Sequence, residues 1–124
     1  MKSLGLRGSH NQRSKAMNEE INELTLEIVR KTQEGIRMFG DYNYHDKGAR
    51  EVMDINEITT KLIELGDFEV AAKVLLDVEE ILIKNSIDPQ PLLMDIVGSM
   101  YHALPEADFD TLVNANDGRL QDYY

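Results

Sequence analysis

No cysteine occurs in the 124 residues, which excludes a disulfide framework and a zinc–thiolate site and makes a reducing, cytoplasmic setting the expectation. Tryptophan is absent, and no apolar run approaches the length needed to cross a bilayer. The N-terminal stretch lacks the apolar segment of a signal peptide. Catalytic signatures are missing as well: there is no glycine-rich phosphate loop, no nucleophile elbow, no His-Glu-x-x-His and no Glu-x-x-His pair. Only His45 and His102 lie outside the first sixteen residues. The expectation is a protein that is not an enzyme and needs no cofactor.

What the chain has in excess is negative charge, at −10 overall. Residues 1–16 stand apart, because they hold four of the 13 Lys and Arg, none of the 23 Asp and Glu, and an Arg7-Gly8-Ser9-His10 string resembling an expression-vector scar. They are read as a vector-derived or disordered leader, leaving 17–118 as one helical domain and 119–124 as a flexible C-terminal tail. Within the remainder the charge is uneven. Residues 17–50 carry seven acids and five bases, whereas from Glu51 onward 16 acids face only Lys61, Lys73, Lys84 and Arg119. Such a surface repels nucleic-acid phosphates and attracts basic proteins.

The stretch Ile55 to Ile83 organises the rest. Ile55, Ile58, Leu62 and Leu65 recur at helical spacing with Glu57, Lys61 and Glu64 between them, a one-sided helix. Gly66 suits the left-handed position that ends it, and Asp67 suits the N-cap of the next helix, so two antiparallel helices are expected. The second, Phe68 to about Lys84, has apolar residues on too much of its circumference for one stripe and is expected to be buried on more than one side. The run Gly66-Asp67-Phe68-Glu69-Val70-Ala71 resembles the turn of a tetratricopeptide-type repeat. That resemblance implies Ala71 as the small residue at the helix crossing and Leu75 as the large apolar residue one turn later. It covers a single hairpin: Thr59, Val78 and Ile83 depart from the pattern, and no second copy appears at the repeat period.

Around the hairpin the chain reads as more helix. A first helix is expected from an Asn18 cap to Gly40, with Leu26 and Met38 off its main face, and a second from about Lys47 under an Asp46 cap. Ile87-Asp88-Pro89 specifies a helix start, with Asp88 as N-cap, Pro89 at the first helical position and Ile87 with Leu92 as a hydrophobic staple. That helix stops before Pro105, and Gly98 and Ser99 on it suggest close packing. Phe109, Leu112 and Val113 suit a short last helix, closed by the turn signal Asn116-Asp117-Gly118. The fold class is therefore all-α: a four- or five-helix, mostly antiparallel bundle.

Function is read as binding. Asp41 to Gly48 is a polar aromatic loop whose spacing does not fit an EF-hand, and whose Tyr42, Tyr44 and His45 are candidate recognition residues. With them are grouped the acids Glu64, Asp67, Glu69, Glu79, Glu80, Asp108 and Asp110, as a surface that docks on a basic, possibly nucleic-acid-binding, protein partner by imitating nucleic-acid phosphates. The expected protein is an inhibitor, an antidote of the immunity-protein type or an adaptor. No direct nucleic-acid or membrane binding is expected. The alternatives are a homo-oligomeric assembly component, which would bury the apolar surplus of Phe68 to Ile83 between copies, and a metal-dependent enzyme using His45 with Asp41 and Asp46.

Overall fold

Ile21, Leu24, Ile28 and Val29 recur every three or four residues, and in the computed structural model they form the buried stripe of a long helix, α1 (Ser3–Phe39). The structure describes residues 3–40 and 51–124, with side chains from residue 18 onward. Thr25 and Thr32 also lie on the stripe, and each hydroxyl donates to the carbonyl four residues back, Ile21 and Ile28, at 2.8 Å. Their polarity is thereby satisfied without water. The helix runs through Asn18 rather than starting there. No glycine or proline lies between Ser9 and Met17, so an asparagine side chain alone does not stop it. At the other end the Gly40 amide donates to Ile36 at 2.8 Å.

The expected helix from Lys47 lies partly outside the described residues, and its described part is broken at Asp54. This residue takes a left-handed conformation (φ 49°), and its carboxylate accepts from the Glu57 amide at 3.4 Å. Aspartate tolerates that conformation better than most residues and doubles as a cap. Helix α2 (Ile55–Glu64) follows and buries Ile55, Ile58, Thr59 and Leu62. Gly66, at φ +74°, then turns the chain, and Asp67 accepts from the Glu69 and Val70 amides at 3.0 and 3.3 Å. The hairpin turn is as expected.

Helix α3 (Phe68–Lys84) is the central element and buries Ala71, Ala72, Val74, Leu75, Leu76, Val78, Glu79 and Leu82. Its most extensive packing is against α1 and the last helix, not against its hairpin partner. Ala71 and Leu75 are fully buried, and Thr59 donates to the Ser99 hydroxyl at 2.8 Å, where tetratricopeptide-type hairpins place glycine or alanine. The apolar surplus of α3 is taken up within the chain, with Ile83 left exposed. A Schellman motif ends α3: the Ile87 amide donates to Leu82 at 2.9 Å and the Ser86 amide to Ile83 at 3.0 Å. Ser86 occupies the left-handed position, at φ 61°.

Helix α4 (Gln90–Ala103) begins one residue later than the sequence suggests. The Asp88 carboxylate accepts from Gln90 at 3.0 Å, and the first intrahelical bond runs from Leu93 to Pro89 at 3.0 Å. Leu92, Leu93, Ile96, Val97 and Met100 form its buried face, packed on α2. Gly98 is not a close-approach point, since a methyl group there would meet nothing within 4 Å. Leu104 turns extended before Pro105, the conformation that a following proline favours.

Helix α5 (Glu106–Gly118) buries Phe109, Leu112 and Val113 against α3. Its regular part gives out at Ala115, and Asn116, Asp117 and Gly118 all take positive φ (54°, 61° and 75°). This reversal returns the chain to the core. Where a flexible tail is expected, Arg119–Tyr123 forms a 3-10 turn with Leu120 fully buried. Leu120 is a large apolar side chain placed where the reversed chain meets α4 and α5. The described residues form five helices and no strand, an all-α bundle.

Candidate functional site

Two grooves flank the α2–α3 turn. One, of about 340 Å³, is lined by Glu20, Glu23, Leu24, Glu27, Lys61, Glu64 and Leu65, where α1 runs past the end of α2. The other, of about 660 Å³, lies between α3, from its Asp67 cap to Glu80, and the reversal after α5. Its walls carry Asp67, Glu69, Asp77, Glu80 and Asp117, with Lys73 and Arg119 as the only bases and Val70, Leu76 and Ala115 as its apolar floor. Leu65 lines one groove and Asp67 the other, and only Gly66 separates them in the chain. Two peptide units span at most about 7 Å, so the grooves adjoin at the hairpin turn, and their carboxylates together make up an acidic band.

The bases near this band are already engaged. Lys61 Nζ lies 2.9 Å from both Glu27 carboxylate oxygens and 3.1 Å from Glu57, and Lys31 completes the network at 3.6 Å from each of these acids. The hydrogen bond to Glu27, then that to Glu57, holds the Lys61 ammonium above its ordinary range. Glu57 is held low, chiefly by its hydrogen bond with Lys61 and next by that with Asp54. Lys73 pairs with Asp77 at 2.8 Å, Lys84 with Glu80 at 3.0 Å and Arg119 with Glu79 at 2.5 Å. Each of the four bases after residue 50 thus has a carboxylate partner inside the chain. No base among the described residues pairs with Glu20, Glu23, Glu64, Asp67, Glu69 or Asp117.

The residues expected from sequence to contact a partner are distributed as follows. Asp67, Glu69 and Glu80 come together in the larger groove, and Glu64 lies in the smaller. Asp67 is also a helix cap, so its carboxylate has a structural duty. Glu79 turns inward, its side chain 11% exposed, and accepts from Arg119 on one oxygen and from the Tyr123 hydroxyl on the other, both at 2.5 Å. It latches the terminal turn onto α3 rather than facing solvent. Burial, and then the hydrogen bond to Glu79, pushes the Tyr123 hydroxyl well above the usual tyrosine range. Asp108 and Asp110 lie on the first turns of α5, away from the band, Asp108 half-buried and Asp110 exposed. Tyr42, Tyr44 and His45, like Asp41 and Asp46, lie outside the described residues.

Sequence reasoning missed Glu20, Glu23, Asp77 and Asp117, which complete the band. Of these, the sequence marks Asp117 only as part of a turn signal. Spacing does reveal the special place of Glu79: Ala72, Leu75, Glu79 and Leu82 form one inward stripe. Among the described residues no group of His, Asp and Glu is arranged to hold a metal ion, and no helix is long and apolar enough to cross a membrane. An all-α bundle with an acidic band around its central turn is the class that fold and site define. No protein-family model, curated protein or solved structure matches the chain.

Proposed function

We propose that the chain is a protein-binding module whose acidic band docks on a basic protein. The observation that supports this reading is the internal pairing of every base after residue 50, while no base among the described residues pairs with Glu20, Glu23, Glu64, Asp67, Glu69 or Asp117. These carboxylates are exposed, so they are open to an incoming Lys or Arg. In its sharper form the band imitates the phosphates of a nucleic acid and occupies the basic groove of a nucleic-acid-binding protein, as an inhibitor or antidote does. The module works in the cytoplasm and performs no catalysis.

The test is capture with the full chain from a lysate of the source organism or its host, eluted in salt steps, repeated with the Glu69→Lys, Glu80→Lys double variant. Neither residue caps a helix or enters the core. One stoichiometric basic protein, surviving moderate salt and bound at least about tenfold more weakly by the variant, is the expected result. A smear of basic proteins released at low salt, equally from both forms, would refute the reading.

A further inference from the structure

Three elements bring aromatic rings together near the start of α5, at Phe109, none of them lining either groove. Tyr101, in the last turn of α4, meets Phe109 of α5 edge-on at 5.2 Å between centroids, and Tyr124, just past the terminal 3-10 turn, lies 5.1 Å from Tyr101 and 4.9 Å from Phe109. The His102 ring stands edge-on to Tyr101 at 5.2 Å. Phe109 is buried and forms the base, whereas Tyr101 and Tyr124 are 47% and 68% exposed. Exposed rings held by mutual contact across three elements are pre-arranged, so a ligand that stacks on them has little side-chain freedom to freeze.

The surroundings decide what kind of ligand. Glu106 and Asp110, one helical turn apart on α5, flank Phe109 and act on Tyr124: hydrogen bonding with Tyr101 comes first in holding the Tyr124 hydroxyl high, and these two acids add to it. Aromatic faces carry negative charge density and the rim carries two carboxylates, so both attract a cation. A planar guanidinium fits better than an ammonium, because it can stack on a ring and bond a carboxylate through its edge at the same time.

We propose that Tyr101 and Tyr124, with Glu106 and Asp110 at the rim, form a platform for an arginine side chain of a basic protein partner. The proposal rests on the basic-partner reading and adds to it a second contact point and a preference for arginine over lysine. Charge alone predicts no such preference.

Hexa-arginine and hexa-lysine peptides, titrated into the full chain under one salt condition, test this. The expected result is about three- to fivefold tighter binding of hexa-arginine, with the ring-proton signals of Tyr101 and Tyr124 shifting on its addition. The preference disappears in the Tyr101→Ala, Tyr124→Ala variant. It persists in the Glu69→Lys, Glu80→Lys variant, where both peptides bind more weakly. Should the alanine variant fold poorly, the ring-proton shifts of the unaltered protein decide alone. Equal affinities for the two peptides, an unchanged preference in the tyrosine variant, or silent tyrosine signals would overturn the platform and leave the acidic band standing. Failure of both peptides to bind would overturn both.

Discussion

Leu120→Ala asks whether the last residues are part of the fold. Leu120 is fully buried between α4 and α5, and its segment is anchored by Glu79 through Arg119 and Tyr123. Reducing such a side chain to a methyl costs about 2–5 kcal/mol, the larger values applying where the surroundings cannot close the gap. A segment at the edge of the core can shift inward, which places the expectation at about 2–3 kcal/mol. With a urea slope of roughly 1–3 kcal/mol per molar, the midpoint falls by about 1–2 M at unchanged slope. Circular dichroism during urea unfolding measures this directly. Glu79→Gln keeps the shape of the latch and removes its charge. Because hydrogen bonds to a charged group contribute about 1.5–3 kcal/mol and an exposed arginine adds little, its cost is about 1–2 kcal/mol. Once either anchor is lost the other holds less, so the double variant loses less than the sum. A Leu120→Ala loss under about 0.5 kcal/mol, or strict additivity of the pair, would refute the argument that the segment is seated and latched.

Ser86 holds the left-handed position of the α3 Schellman motif, which glycine adopts without a Cβ clash, so Ser86→Gly stabilises by about 0.5–1 kcal/mol in the same urea assay. Gly98 lies inside α4 with open space where a methyl would project, so Gly98→Ala also stabilises by about 0.5–1 kcal/mol, and a loss would mean that the helix surface is covered there. The folded state holds the Tyr123 proton more tightly than the unfolded chain does, by burial first and the Glu79 carboxylate second. Its stabilising contribution is therefore complete below the ordinary tyrosine value of about 10 and is lost as pH rises past it. Tyr123→Phe starts from lower stability but loses less between pH values of about 9 and 11; equal alkaline losses in the two proteins would contradict the burial of that hydroxyl.

Where local chemistry decides a structure, the residues announce it. Gly66-Asp67 supplies both the left-handed turn and the cap, and Leu104-Pro105 supplies a stop, so these boundaries fall where the sequence places them. The break at Asp54 has no such marker. An aspartate inside an apolar pattern without glycine or proline is compatible with a continuous helix, and its second option, a left-handed turn that caps the next helix, is the one taken. The start of α1 was misplaced for the converse reason, because a good capping residue is optional when the residues before it can also be helical. Leu120 was misjudged because its neighbours Arg119, Gln121 and Asp122 are polar, while its burial depends on a chain reversal built from three consecutive left-handed residues. Of the candidate acids, Asp67 and Glu69 at the legible hairpin turn share a groove with Glu80, while Glu64, just before the turn, lies in the other. Glu79 lines neither, since adjacent residues on a helix point about 100° apart and its neighbour Glu80 already faces out.

The same surplus of charge acts in opposite directions on folding and on docking. Within the band, carboxylates on α1, α2 and α3 repel one another in the folded state, and the paired lysines and arginine relieve only part of that repulsion. Salt screens what remains, which favours the folded chain, yet the same screening weakens attraction for a basic partner. Release of a partner by salt therefore cannot be ascribed to unfolding of this chain. The internal pairs also set the specificity of the surface. Because Lys61, Lys73, Lys84 and Arg119 are held by their own carboxylates, an acidic surface approaching the band meets repulsion with no loose base after residue 50 to offset it. On the proposed docking role, the band would select partners by rejection of acidic surfaces as much as by attraction of basic ones.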